Sequence, residues 1–200
     1  KGVWEFLKMY KDWTPDIIHC QEWQTGLIPN YFSQIYKEVE HLSDIKFVFT
    51  INNLMYQAPY DHRFVTELDY DGGRAAIPSL FSKDFIKLNS MRRGIIYSDL
   101  VTAVSPTYTQ EILTEEYGEG LDALLKEVRH KLVGILDGLD YKDYNPLTDI
   151  NIEQNYKKGE WQSRLVTKIF LQKKFGLEQG TEIPLFGLSY RLTKQKGLDL

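Results

Sequence analysis

The chain has 200 residues, 42% of them hydrophobic and 26% charged, which supports a sizeable core and excludes a disordered polymer. A formal net charge of −4 and a pI near 5.6 exclude the broad basic face that nucleic-acid binding requires. The single cysteine, Cys20, excludes an internal disulfide and a multi-cysteine metal site and suits a reducing, cytoplasmic compartment, and no apolar run approaches a membrane span.

Residues 1 to 12 suit an amphipathic helix, with Val3, Phe6, Leu7 and Tyr10 on one face. The apolar run Asp16-Ile-Ile-His-Cys20 predicts a strand, a helix is expected from about Thr25 to His41, and Lys46-Phe-Val-Phe-Thr-Ile51 predicts the second strand. The polar stretch from Asp61 to Ala76, with its Asp71-Gly72-Gly73 turn signal, reads as loop, and residues 80 to 97 read as helix. Leu100-Val-Thr-Ala-Val104 predicts a third strand, and Ser105-Pro106-Thr107 starts a helix with Ser as N-cap and Pro at its first position. A turn at Tyr117-Gly-Glu-Gly-Leu121 leads to a short helix over 121 to 128, and Leu132-Val-Gly-Ile-Leu136 predicts the fourth strand. Beyond a boundary at 138 to 148, a helix over Lys158 to Phe175 leads to an apolar strand at Ile183-Pro-Leu-Phe-Gly-Leu-Ser189.

Alternating strands and helices imply an α/β protein built on an open parallel sheet of doubly wound type, whose ligands bind beyond the carboxyl ends of the strands. After the first strand comes His19-Cys20-Gln21-Glu22-Trp23-Gln24-Thr25-Gly26, which is either a loop capping the next helix through Thr25 while Trp23 packs, or the wall of a sugar site. After the second come Asn52 and Asn53, either an ordinary turn or two amides offered to hydroxyls. Ser105 after the third is explained by capping, although a helix N-terminus also attracts phosphate, and Asp137-Gly138 after the fourth is a hinge, part of a cleft, or both. After the expected last strand, Arg191, Lys194 and Lys196 either solvate a helix entry or hold a diphosphate, a group that needs fixed positive charge. His19, His41, His62 and His130 lack metal-ligand spacing, and Gly-x-Ser-x-Gly is absent, so neither a metal site nor a serine hydrolase is indicated. The 13 Tyr and 4 Trp supply rings that line sugar clefts as well as cores. Lys1 opens the chain with neither initiator Met nor signal peptide, and Lys196-Gly-Leu-Asp-Leu200 reads as the entry to a helix without a stop signal, so an internal fragment of a longer protein is expected.

Together these segments resemble glycosyltransferase family 5, the bacterial glycogen synthases and plant starch synthases. The pieces that carry the likeness are Asp16-Ile-Ile-His-Cys-Gln-Glu-Trp-Gln-Thr-Gly-Leu27, Phe49-Thr-Ile-Asn-Asn-Leu-Met-Tyr-Gln57, Ser98-Asp-Leu-Val-Thr-Ala-Val-Ser-Pro-Thr-Tyr108, Glu111-Ile-Leu-Thr114, Tyr117-Gly-Glu-Gly-Leu-Asp122, Gly134-Ile-Leu-Asp-Gly-Leu-Asp140, Asn145-Pro146 and Arg191-Leu-Thr-Lys-Gln-Lys-Gly-Leu-Asp-Leu200. The resemblance implies two Rossmann-like domains of the B-type glycosyltransferase fold, with residues 1 to 140 forming the later part of the N-terminal domain. Residues 141 to 200 would then be a linker and the start of the C-terminal, nucleotide-sugar-binding domain. It also implies retaining transfer of glucose from ADP-glucose to the non-reducing end of an α-1,4-glucan without a metal or other cofactor, while the charge and the lack of a long apolar run indicate no nucleic-acid and no membrane partner.

Under that resemblance the candidate catalytic residues are Arg191 and Lys196, on the donor diphosphate, and Asn52, near the transferred glucose. Candidate substrate contacts are Glu22, Trp23, Gln24, Asn53, Tyr56, Asp137 and Gly138. Three positions depart from the family's usual pattern: Asn52 stands where His is usual, Glu22 where Asp is usual, and Asp137 where Asn is usual. The family's Lys-x-Gly-Gly loop and later Glu-containing motif do not occur in these 200 residues, so the fragment alone is expected to be inactive. The alternative implied by the departures is a catalytically weakened homologue that binds glucan or regulates a partner.

Overall fold

The computed structural model describes residues 1–57, 59–61, 87–193 and 196–197. The Asp71-Gly72-Gly73 turn signal, residues 80–86 of an expected helix, and Lys194 lie outside them. Contacts divide the chain into two compact units, Lys1–Asp137 and Gly138–Leu200.

The first unit opens with helix α1 (Gly2–Met9), which buries Trp4 and Leu7, so that of the expected face Val3, Phe6, Leu7 and Tyr10 only Leu7 is buried and the other three are exposed. Strand β1 (Ile17–Gln21) runs directly into α2 (Glu22–Thr25) and α3 (Leu27–Tyr31). Strands β2 (Lys46–Ile51), β3 (Pro59–Asp61) and β4 (Lys87–Asn89) follow, then α4 (Ser90–Tyr97) and β5 (Leu100–Ala103). Helices α5 (Pro106–Glu111) and α6 (Asp122–Glu127) lead to β6 (Leu132–Gly134). Ser105 caps α5 with its hydroxyl, which accepts the Tyr108 N–H at 2.8 Å, and Pro106 takes the first helical position.

Four strands form one parallel sheet in the order β1-β2-β5-β6, and β3 pairs with β4 as a separate antiparallel ribbon. The strand order follows the chain order, so the reversal that defines a doubly wound sheet does not occur among the described strands. Both α2 and α3 pack against α4. Under the sheet, Cys20, Phe47, Phe49, Ile51, Val101 and Ala103 are buried in one core with Trp4, Met91, Ile95 and Leu125. Trp4 anchors it, with its ring 5.2 Å from Phe32 and 5.8 Å from Phe47 and its indole N–H donating to the Ile28 carbonyl at 3.0 Å.

Three local expectations are corrected. The helix expected over 25 to 41 is a series of short pieces: α2, α3, a π turn at Phe32–Tyr36 and a 3₁₀ turn at Glu40–Leu42. Pro29 has no N–H to continue a helix and is tolerated only in a first turn, which is where α3 places it. Thr25 is correspondingly not an N-cap: it ends α2, and its hydroxyl donates back to the Gln21 carbonyl at 2.7 Å. The helix expected over 80 to 97 begins only at Ser90, because Lys87–Asn89 pairs with β3 and Asn89 then caps α4 through the Arg92 N–H.

The second unit contains helix α7 (Trp161–Lys174). Its Gln172, 1% exposed, donates to the Gly180 carbonyl and accepts the Gly180 N–H at 3.1 Å, and Lys168 donates to the Thr181 carbonyl. The strand expected at 183 to 189 is absent: the segment is irregular, and Phe186 and Leu188 are exposed. A strand needs a neighbour to take its N–H and C=O groups, and the described residues of this unit contain no other strand. Arg191 and Lys196 therefore follow an irregular segment, not a strand end.

Candidate functional site

Parallel strands aim all their carboxyl ends the same way, so four chain segments leave the sheet together: Glu22 after β1, Asn52 after β2, Val104 after β5 and Ile135 after β6. The ladder persists one step beyond β6, with the Ile135 N–H donating to the Ala103 carbonyl at 2.8 Å. A cavity of about 290 Å³ opens on the face of the sheet opposite the core, lined among others by His19, Gln21, Thr50, Asn52, Thr102 and Asp137.

Strand alternation selects that lining. Residues two apart share a face, so the face carrying Cys20, Phe49 and Val101 enters the core while the one carrying His19, Thr50 and Thr102 faces away from it. The register brings these polar residues into a row: His19 Nε2 and Thr50 Oγ1 share a hydrogen bond at 2.6 Å, and Thr50 Oγ1 and Thr102 Oγ1 another at 2.7 Å. His19 and Gln21 belong to the polar cluster singled out after the first strand. Thr50 and Thr102 sit inside two apolar runs that read simply as buried strand, and the period-2 alternation of those runs is the signal that marks them.

Of the residues singled out in the first unit, Asn52 and Asp137 line this cavity. Glu22 adopts φ +60° at the junction of β1 and α2, and its carboxylate oxygen Oε1 accepts two successive backbone N–H groups, Asn52 at 2.5 Å and Asn53 at 2.9 Å. Trp23 is half buried and packs against the hydrophobic core, while its carbonyl accepts the Ser90 hydroxyl. Gln24 and Tyr56 are exposed. Asn53 turns its Oδ1 onto the Met55 N–H at 3.1 Å, the local bond of an Asx turn. Tyr108 accepts the Leu54 N–H at 3.1 Å, and burial pushes its phenol above the ordinary tyrosine pKa, so it stays protonated at neutral pH. Burial likewise pushes the Cys20 thiol up to about 11, partly offset by its bond with Thr25.

In the second unit Gly138 is exposed, as are Arg191 and Lys196. The turn between the two cations is closed by the Thr193 N–H donating to the Arg191 carbonyl at 2.9 Å and the Lys196 N–H donating to the Thr193 carbonyl at 3.0 Å. The Tyr190 hydroxyl adds a bond to the Lys196 carbonyl at 3.3 Å. Among the described residues no group of His, Cys, Asp and Glu is arranged to hold a metal ion, and no helix is long and apolar enough to cross a membrane.

The starch synthase catalytic domain family matches residues 1–127. The chain is 40% identical over 200 residues to a glycogen synthase of Thermosipho africanus, covering all of this chain and 40% of the relative. It is 40% identical over 204 residues to a glycogen synthase of Geotalea daltonii, covering all of this chain and 41% of that protein. In structure it is similar to the catalytic domain of starch synthase IV from Arabidopsis thaliana, solved bound to ADP and acarbose, with a TM-score of 0.71 and 31% identity over 88% of this chain and 36% of that one. The chain thus spans about two fifths of the length of the relatives it matches. It belongs to the family of starch synthase catalytic domains.

Proposed function

We propose that the protein to which this chain belongs is a glucosyltransferase of glycogen or starch synthesis, moving glucose from ADP-glucose to the non-reducing end of an α-1,4-glucan with retention. The observation that carries this reading is the 40% identity along the whole chain to glycogen synthases, together with the convergence of Asn52 and Asp137, each just past a strand, on one cavity over the sheet face opposite the core. The ADP and acarbose bound to the structurally similar starch synthase support a nucleotide-sugar donor and a glucan acceptor.

Departure of ADP builds negative charge on the diphosphate. Arg191 and Lys196 are the fixed cations that stabilise it, a role that needs no metal or other cofactor. Asn52 offers its amide to a hydroxyl of the transferred glucose; it can donate and accept hydrogen bonds but has no imidazole basicity. The enzyme works in the cytoplasm, where Cys20 remains a thiol.

The test is transfer of radiolabelled glucose from ADP-glucose into glycogen by the full-length protein, with UDP-glucose as the competing donor. Incorporation with ADP release supports the reading, and absence of incorporation from either donor refutes it. One observation favours a second outcome: Asp137 brings a carboxylate into the cavity that holds Asn52. A weakened homologue would bind glucan without releasing ADP, and Asp137→Asn with Asn52→His would then raise the rate.

A further inference from the structure

Glu22 is one of two described residues other than glycine, with Glu119, whose backbone is left-handed. Its backbone lies at φ +60°, a left-handed conformation that residues other than Gly and Asn rarely adopt, and such a conformation persists only where the surroundings enforce it. The surroundings here are the first amides beyond β2. A single carboxylate oxygen takes the N–H groups of Asn52 and Asn53, so two successive backbone donors that would otherwise cradle an external anion are filled from within. The next two donors are also taken by side chains, Leu54 by Tyr108 and Met55 by Asn53. Farther along, Gln57 donates to the Glu119 carbonyl at 2.8 Å and accepts from Asn89 at 2.7 Å. Every amide from Asn52 to Met55 is thus held by a side chain, and the two nearest the cavity depend on one carboxylate.

We infer that Glu22 is a positioning residue: its carboxylate fixes the backbone of Asn52 and Asn53 and so sets where the Asn52 side chain meets the transferred sugar, without itself touching substrate. This replaces the direct substrate contact expected for Glu22 from the family resemblance, and it rests on the glucosyltransferase reading for its effect on activity. The left-handed backbone serves the same end, because it turns the chain at the end of β1 so that the carboxylate reaches β2's loop.

The test uses the full-length protein with Glu22→Gly, Glu22→Gln and Asn52→Ala. Glycine adopts φ +60° without strain, so Glu22→Gly removes the carboxylate while sparing the turn. A positioning role predicts a loss of roughly 100-fold in kcat for Glu22→Gly, the scale of a misplaced catalytic group. Glu22→Gln keeps an oxygen that can accept both amides and should lie within about fivefold of wild type, with an unchanged pH profile. In the Asn52→Ala background the Glu22→Gly effect should largely vanish, because its route runs through Asn52. Glu22→Gln as inactive as Glu22→Gly, or full additivity with Asn52→Ala, overturns the proposal. Amide hydrogen exchange at 52 and 53 judges the clamp independently of turnover: protection in wild type and Glu22→Gln but not in Glu22→Gly supports it, and equal exchange in all three refutes it. A wild-type protein without transferase activity would thus reject the functional reading while leaving the clamp to be decided by exchange.

Discussion

Replacing Gly26 by Ala sets two physical effects against each other, and their signs differ. Gly26 has ordinary right-handed helical angles, φ −61° and ψ −22°, so no glycine is needed there for backbone freedom, and helix propensity favours Ala by about 1 kcal/mol. Packing says the opposite. A Cβ at Gly26 would lie 2.0 Å from the Ser90 carbonyl oxygen and 2.8 Å from its carbon, where ordinary contact begins at 3.4 Å. Both atoms are backbone, so no rotamer change relieves the clash; α3 and the start of α4 must separate by about 1 Å or more in a close-packed core. Overpacking of this kind costs about 1 to 3 kcal/mol, and separation also weakens the bond from the Ser90 hydroxyl to the Trp23 carbonyl, worth about 1 kcal/mol. The net expectation is a destabilisation of about 2 kcal/mol, which for a chain of this size lowers Tm by roughly 4 to 8 °C. Thermal unfolding followed by circular dichroism measures it directly. A Gly26→Ala variant that melts at or above the wild-type temperature would refute the close approach of α3 and α4 on which the junction after β1 depends.

Three other outcomes follow from individual groups. The Cys20 thiol, with its pKa near 11 against an ordinary 9.0, should react with Ellman's reagent about 100-fold more slowly in the native protein than in urea from ionisation alone, and more slowly still because it is buried; equal rates would place it outside the core. Lys131 donates to the carbonyls of Ile96 and Ser98, and burial holds its ammonium below the ordinary 10.5, so the unfolded chain binds more protons in the window between the lowered value and 10.5. Stability contributed by this group therefore rises with pH across that window. The difference in urea-unfolding free energy between wild type and Lys131→Met should increase there, and a flat difference would contradict it. Arg191→Ala in the full-length protein should reduce kcat by about 2 to 4 kcal/mol of barrier if Arg191 stabilises the leaving diphosphate, whereas a rise in glucan KM with kcat unchanged would assign it to acceptor binding instead.

Local sequence sufficed wherever one short-range effect dominates. β1, β2 and β5 are legible to within a residue or so because β-branched and aromatic residues in short apolar runs have few alternatives to a buried strand. Ser105-Pro106 announces α5 because both the cap and the proline act within one turn. Asn52 and Asp137 could be singled out for the same reason: each lies just past a strand end. What tertiary structure decided is everything that depends on a partner distant in sequence. The run at 183 to 189 has strand composition, yet the described residues of its unit supply no second strand to bond it. The broken path from Glu22 to Leu42 follows from Pro29 and from packing against α4, not from the apolar period of the segment. The register of three strands decides that His19, Thr50 and Thr102 form a hydrogen-bonded row on one face while their neighbours fill the core. The left-handed backbone of Glu22 is illegible from its own neighbours, because its carboxylate is satisfied by amides thirty residues on, and only the folded sheet brings those amides within reach.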